Sequence, residues 1–308
     1  MTDKPSPTPI ATSTTAIASR NSNEFIEKQL DHLITRIEEE FEADAICFNG
    51  PLLLGVDDIL RNIVEKKSTQ QPIRPNLVVL ITTEGGYIEP VQRSVDLLRR
   101  HYSPIDFIIP NYAYSAGTIF ALSGDAIHMD YYSRLGPIDP QTENANKRMV
   151  PALGYLEKYE ELMAKAEAQT INIVEIQILL KFDQAELHKY EEERQLSITL
   201  LKDWLVRYKF KNWVKTADRG LDVTDDMRAA RAEEIGNELN KTKKWHTHGY
   251  GISKDVLQND LKLQIDDFGA IPSRSMAIRD YHELMADYMS RRGAIGVIHA
   301  AGDYKQFV

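Results

Sequence analysis

A chain of 308 residues with 37 Lys and Arg against 46 Asp and Glu carries a formal charge of −9, and its 43% hydrophobic and 27% charged content is that of a globular protein. The acidic balance argues against a nucleic-acid partner, since a phosphate backbone needs a basic footprint, and the single cysteine, Cys47, excludes a disulfide framework and a cysteine-rich zinc site. No apolar run approaches the roughly 18 residues of a transmembrane helix, and no basic segment leads into an apolar core, so a cytoplasmic protein with no membrane contact is expected.

Residues 1–20 are rich in Ser, Thr and Pro and hold almost no large apolar groups. They cannot bury enough surface to offset the entropy of ordering, which predicts a flexible tail. From Asn23 onward Phe25, Leu30, Leu33, Ile34 and Ile37 recur at helical spacing. Two alternating units follow. Ala45 to Phe48 reads as a strand, Val56 to Val64 as a helix, Asn76 to Thr82 as a β-branched strand and Ile88 to His101 as a second helix. Ile105 to Pro110 is a third strand, Thr118 to Ser123 a short helix and Ala126 to Met129 a fourth strand. Strands alternating with helices imply βαβ units and a largely parallel sheet. From Leu153 to Lys215 the chain turns helical, and further helices are expected near 226–239 and 277–289. The layout is an α/β core over 21–145, with its N-terminal helix, and a helical extension over 146–308 that returns to the core near 245–270.

Three segments carry candidate chemistry. Thr83-Glu84-Gly85-Gly86 lies between a strand and a helix, where paired glycines let the backbone turn sharply and expose its N–H groups. Such amides bind negative charge, a phosphate or a developing oxyanion. The plain alternative is a turn with no further role. No GxGxxG or GxxxxGK[ST] run is present to support nucleotide binding. In Tyr112 to Thr118, Ser115 sits between small residues after a strand and before a helix. That placement suits a nucleophile held out of a turn, and equally suits an ordinary helix N-cap. Ser133 to Gln141 carries a glycine and two prolines around Ile138-Asp139 and makes a stiff, irregular loop.

In this order and spacing the three segments resemble the Clp-protease-like, crotonase-type serine peptidases, and most closely the serine dehydrogenase proteinase family, a relative of signal peptide peptidase A. The resemblance covers about residues 45–141, loosens through the helical region and returns weakly at Trp245 to Leu263. It implies a Clp-protease/crotonase-like α/β core of stacked βαβ units with a large α-helical extension. It implies Ser115 as nucleophile, with amides of Gly85 (or Gly86) and Ala116 as an oxyanion hole. Tyr87, Ile88 and residues near Pro137 and Asp139 would line a groove for an extended peptide. Relatives assemble, so a homo-oligomer is expected.

The catalytic base is open at this level. The Clp proteolytic subunit has a histidine in the loop after its serine, where this chain has Ile138 and Asp139. His128, in the preceding strand, reads as structural. Signal peptide peptidase A uses a lysine on a later helix, which points to Lys165, 50 residues beyond Ser115, with Lys158 and Lys147 as weaker rivals. A buried lysine loses its proton more easily, because desolvation disfavours the charged form. The other candidate is His248, oriented by a carboxylate such as Asp139. His246 and His248 make no zinc pair by themselves, since no third ligand lies near them in sequence; neither a metal nor a cofactor is expected. Cys47, between Ile46 and Phe48, belongs to packing. The sequence thus predicts a serine endopeptidase acting on extended or unfolded peptide substrates through an acyl-enzyme. A non-catalytic scaffold and a crotonase-type acyl-CoA enzyme are the alternatives. It names neither the substrate nor a partner unfoldase.

Overall fold

The computed structural model describes residues 21–70, 74–143, 149–216 and 219–308. The expected tail at 1–20 and the rival Lys147 lie outside the described residues. In chain order the elements are α1 (Ser22–Phe41), β1 (Asp44–Asn49), α2 (Val56–Gln70), β2 (Leu77–Thr82), α3 (Ile88–His101), β3 (Ile105–Ile108), β4 (Tyr112–Ala113), α4 (Ala116–Leu122), β5 (Ala126–Met129) and β6 (Arg134–Leu135). Then come β7 (Gln141–Glu143), β8 (Met149–Pro151), α5 (Leu153–Glu167), α6 (Ile173–Leu179), α7 (Gln184–Trp204), α8 (Asp225–Leu239), α9 (Thr242–Trp245), β9 (Ile252–Ser253), α10 (Lys254–Asn259), β10 (Asp266–Asp267), α11 (Pro272–Arg292), β11 (Val297–Ala300) and β12 (Asp303–Gln306).

A seven-stranded sheet in the order β10-β5-β3-β2-β1-β11-β12 forms the centre. The strands from β10 to β1 run parallel, and β11 and β12 add an antiparallel edge. β2 is buried along its whole length, the pattern of a parallel strand covered on both faces. One cover is made by α2, α3 and α4, whose Val64, Val91, Val95 and Phe120 pack against Val79, Ile81 and Phe107. The other is made by α1 and α11, with Leu30, Ile34, Ile37, Tyr281 and Tyr288 against Val78, Leu80 and Ile108. The α/β class and the stacked βαβ units are those read from the sequence.

Two features differ from the sequence reading. The helical stretch after Leu153 is three helices, because Asn172 and Asp183 each cap a new helix with the side-chain oxygen. The C-terminal part is not only a helix. β11 pairs with β1 at Cys47↔His299 and extends the central sheet. A short apolar run such as Val297-Ile298 carries no alternation that would mark it as a strand.

The far end of α7 roots in the core through Leu201 and Trp204, whereas its near end meets α5 in a small separate cluster of Ala152, Leu187 and Tyr190. α6 between them has no buried residue, and Ile173, Val174 and Leu180 are 70%, 61% and 79% exposed. No helix among the described residues is long and apolar enough to cross a membrane.

Candidate active site

The site forms where β2 ends and β4 begins. β2 continues past Thr82 as a turn that is held from two sides. Thr83 N–H donates to Tyr112 O (3.1 Å) and Tyr114 N–H donates to Thr83 O (2.9 Å), tying the turn to β4. Leu52 N–H donates to Gly85 O (2.9 Å) and Tyr87 N–H to Leu52 O (2.8 Å), tying it to the segment after β1. Both glycines are required by space. Gly85 has φ 104°, and a Cβ there would stand 2.6 Å from the Cβ of Ser115; Gly86 has φ 146°, and its Cβ would stand 2.3 Å from Leu52 O. The Gly-Gly turn therefore lies in direct contact with the serine turn.

Ser115 is the second of the two residues between β4 and α4, with φ 54° and ψ −125°. Side chains rarely take this backbone geometry, which costs on the order of 1–3 kcal/mol and persists only where the surroundings impose it. Here they do. Gly117 leaves room for Thr83, whose Cγ2 would be 2.2 Å from an added Cβ. The fully buried Thr118 accepts the Gly136 N–H (2.9 Å) and reaches Ala113 O (2.8 Å), joining the serine turn to the loop after β6. Ser115 makes no N-cap bond, so the structure does not use it as the ordinary cap that its residue type suggests.

Two backbone amides of these turns have no acceptor among the described residues. Gly85 N–H is consumed by Thr83 Oγ1 (3.0 Å), while among the described residues Gly86 N–H and Ala116 N–H have no acceptor. Of the glycine pair, Gly86 is the one left with a free donor.

A second small sheet, β4-β6-β9, links the segment before Ser115 to the segments that carry Asp139 and His248. β4 and β6 run parallel through Tyr112↔Arg134, and β6 and β9 run antiparallel through Leu135↔Ile252. Asp139 lies four residues beyond Leu135 at the end of β6, and His248 four residues before Ile252 at the start of β9. His248 Nδ1 and Asp139 Oδ1 are 2.9 Å apart. A carboxylate only accepts, so Nδ1 carries the proton of this bond and Nε2 presents its lone pair. Nε2 has no partner among the described residues. Asp139 is 2% exposed, and its other oxygen accepts Gln141 Nε2 (2.9 Å). The histidine loop is anchored by Trp245, buried beneath α8, where its Nε1 donates to Glu238 O (2.8 Å).

The other expected site residues separate clearly. Lys165 is a surface residue on α5. Its Nζ lies 2.7 Å from Glu175 and 3.0 Å from Glu161, and these carboxylates, Glu175 first, raise its pKa. The burial that would free a lysine of its proton is missing, and this corrects the expectation for Lys165. Lys158 pairs with Glu161 in the same way (2.9 Å). Pro137 and Asp139 are buried, so they do not line an open groove; Asp139 fixes an imidazole instead. Tyr87 is 54% exposed and Ile88 half-buried at the head of α3. His128 bonds Asp106 (3.3 Å) and packs edge-on against Phe41, as a structural histidine would. Burial pushes the Cys47 thiol up to about 12, so it is inert packing. No group of three or more His, Cys, Asp or Glu among the described residues is arranged to hold a metal ion. Sequence reasoning passed over Thr83 and Thr118, which lock the two turns together. Their signal was position, since each stands beside a glycine motif already singled out.

Comparisons with known proteins follow the same outline. Residues 53–203 match the family model described as ClpP-like SDH-type serine proteinase. Two uncharacterized proteins of Methanocaldococcus jannaschii are similar in sequence. MJ1495 is 31% identical over 163 residues, 53% of this chain and 51% of that protein. MJ0137 is 34% identical over 99 residues, 32% of this chain and 33% of that protein. The chain thus spans about half or less of the curated relatives it matches. Among solved structures, a serine-to-alanine mutant of the 1510-N membrane-bound stomatin-specific protease gives a TM-score of 0.42 at 12% identity, covering 72% of this chain and 77% of that one. A lysine-to-alanine mutant of the same protease, in complex with a substrate peptide, gives 0.42 at 12% identity, covering 72% and 73%. ClpP1 from Listeria monocytogenes gives 0.39 at 9% identity, covering 76% and 93%.

Proposed function

The chain belongs, over residues 53–203, to the ClpP-like SDH-type serine proteinases, and from that membership we propose that it is a serine endopeptidase that hydrolyses extended peptide segments at Ser115. The observation that carries the reading is the backbone of Ser115, held at φ 54° and ψ −125° at the head of α4 with Gly85 packed against it. A strained turn of this kind costs stability and is kept where it presents a nucleophile.

In the proposed cycle His248 Nε2 takes the hydroxyl proton of Ser115 as Oγ adds to the peptide carbonyl. Asp139 holds the imidazole in the tautomer that leaves Nε2 free and offsets the positive charge that it gains. The tetrahedral oxyanion is stabilised by the N–H groups of Gly86 and Ala116. The imidazolium returns its proton to the leaving amine, and the acyl group remains on Ser115. Water, deprotonated by the same imidazole, then releases the second product and restores the serine. Among the described residues no Oγ–Nε2 hydrogen bond is formed, and such bonds often tighten only with substrate bound.

Reaction of the full chain with a fluorophosphonate, mapped by mass spectrometry, tests the reading. The expected result is one adduct, on Ser115, that is lost in Ser115→Ala. A folded protein that takes no label and cleaves no unfolded substrate would exclude a nucleophilic Ser115.

A further inference from the structure

The outer face of the small sheet beside Ser115 carries a cation without an acidic partner. Ala113, Leu135 and Ile252, in register across β4, β6 and β9, are fully buried and form the inner face. Side chains alternate along a strand, so Tyr112, Arg134 and Ser253, also in register and all half-buried, form the outer face. Tyr114 stacks on Tyr112 with ring centroids 5.0 Å apart and planes 18° from parallel.

Arg134 is fixed on this platform. Its Nη1 donates to Tyr131 O and to Ser133 O, both at 2.8 Å. Its stem rests on Gly251, where an added Cβ would stand 3.0 Å from Cγ and Cδ. Among the described residues it pairs with no carboxylate, and its Nε and Nη2 have no acceptor. Glu84 acts electrostatically on the same tyrosine: burial raises the Tyr114 pKa, Arg134 opposes that shift and Glu84 adds to it. Even so, Glu84 forms no ion pair with Arg134. The result is a guanidinium oriented by backbone carbonyls, with its bidentate edge open.

We propose that Arg134 binds a carboxylate of the substrate peptide and gives the enzyme a preference for an acidic residue, or a free C-terminus, near the bond that Ser115 attacks. The proposal rests on Ser115 being the nucleophile. Three physical points support it. The Nε–Nη2 edge of a guanidinium matches the two oxygens of a carboxylate. A side chain already held by two carbonyls loses little freedom on binding. The chain as a whole is at −9, so its overall field disfavours acidic peptides, and a carboxylate is admitted only where a local cation meets it.

The test uses the full chain and fluorogenic peptides of one sequence in three forms: an internal Gln with an amidated C-terminus, an internal Glu with an amidated C-terminus, and an internal Gln with a free C-terminus. The second and third forms distinguish a side-chain carboxylate from a terminal one. Wild type is expected to cleave one acidic form about tenfold better in kcat/KM than the neutral form, the ratio given by one charge-assisted hydrogen bond. Arg134→Gln is expected to lose the preference mainly through KM, Arg134→Lys to keep part of it, and Arg134→Glu to turn it toward a Lys-containing peptide. Fluorophosphonate labelling of Ser115 in each variant reports an intact nucleophile. If Arg134→Gln is labelled as wild type is and keeps the wild-type preference, Arg134 only braces the Tyr131–Ser133 backbone and the proposal falls alone. Equal cleavage of all three peptides by wild type overturns it without any variant. Absence of labelling in wild type removes the nucleophile, and this proposal with it.

Discussion

Two regions of the molecule hold the candidate bases, and they treat them in opposite ways. The small sheet sets His248 against a buried carboxylate and leaves Nε2 free. The helical arm sets Lys165 between two carboxylates that keep its proton on. Lysine is the stronger base in water, yet basicity at neutral pH is decided by surroundings. A lysine becomes available for proton transfer when its proton is easily lost, and the carboxylates beside Lys165 work against that.

The sharpest way to break this contrast is to remove each candidate in turn. His248→Ala and Asp139→Asn are expected to lower kcat/KM by roughly ten-thousandfold, the scale seen when a histidine or its orienting carboxylate is removed from a serine triad. Lys165→Ala is expected to stay within about twofold, because an exposed ion pair contributes little. The reverse pattern, measured on variants of matched circular dichroism, would move the chemistry to the arm.

Next in size is Gly85→Ala. The added methyl meets Ser115 Cβ at 2.6 Å and requires φ 104° of a residue that resists it. Displacing the nucleophile by about 1 Å is expected to cost on the order of a hundredfold in kcat. An Ala at any exposed glycine of the arm, such as Gly154, which has open space around it, is expected to change kcat less than twofold.

The smallest effect concerns stability beside the site. Asp130 begins the turn that leads into β6, accepting N–H bonds from Tyr132 (2.9 Å) and Ser133 (3.1 Å) and an ion pair from Arg279. Burial opposes ionisation, but Arg279, the backbone amides and Ser133 together pull its pKa below the usual carboxylate value. A lowered folded-state pKa means that its contribution is present above the ordinary carboxylate pKa near 4 and is lost as pH falls through the lower folded value. Asp130→Asn is therefore expected to lower unfolding free energy by about 2–4 kcal/mol at pH 7. The gap between variant and wild type should close on acidification, as followed by Tm between about pH 6 and pH 3.

The parallel core was legible because its strands are continuous apolar runs, as in Leu77 to Thr82, flanked by helices of clear period. The serine turn was legible as a motif, and its neighbours Gly85 and Gly86 fell where their lack of a Cβ is needed. Lys165 was misread for a physical reason. The small residues Ala164 and Ala166 on either side resemble a packed environment, but Glu161 and Glu175, which set its charge state, stand four residues before it on α5 and on another helix. The partnership of His248 with Asp139 depends on the register of β6 and β9, two strands of two residues each. Elements that short leave no periodic trace in a sequence. Arg134 was hidden for the same reason, since its exposed face is defined only by what it pairs with.

That register has a consequence in time. The Gly-Gly and serine turns and the segments that brace them, from Leu52 to Gly136, all lie in the first half of the chain. The imidazole arrives on β9's side of the sheet, about 130 residues after Ser115. At a synthesis rate of roughly 5–20 residues per second, the nucleophile would exist for several seconds or more without a base. On the proposed mechanism a nascent chain is thus a protease in shape before it is one in chemistry. On that same mechanism, docking of β9 on β6 is the event that would arm it.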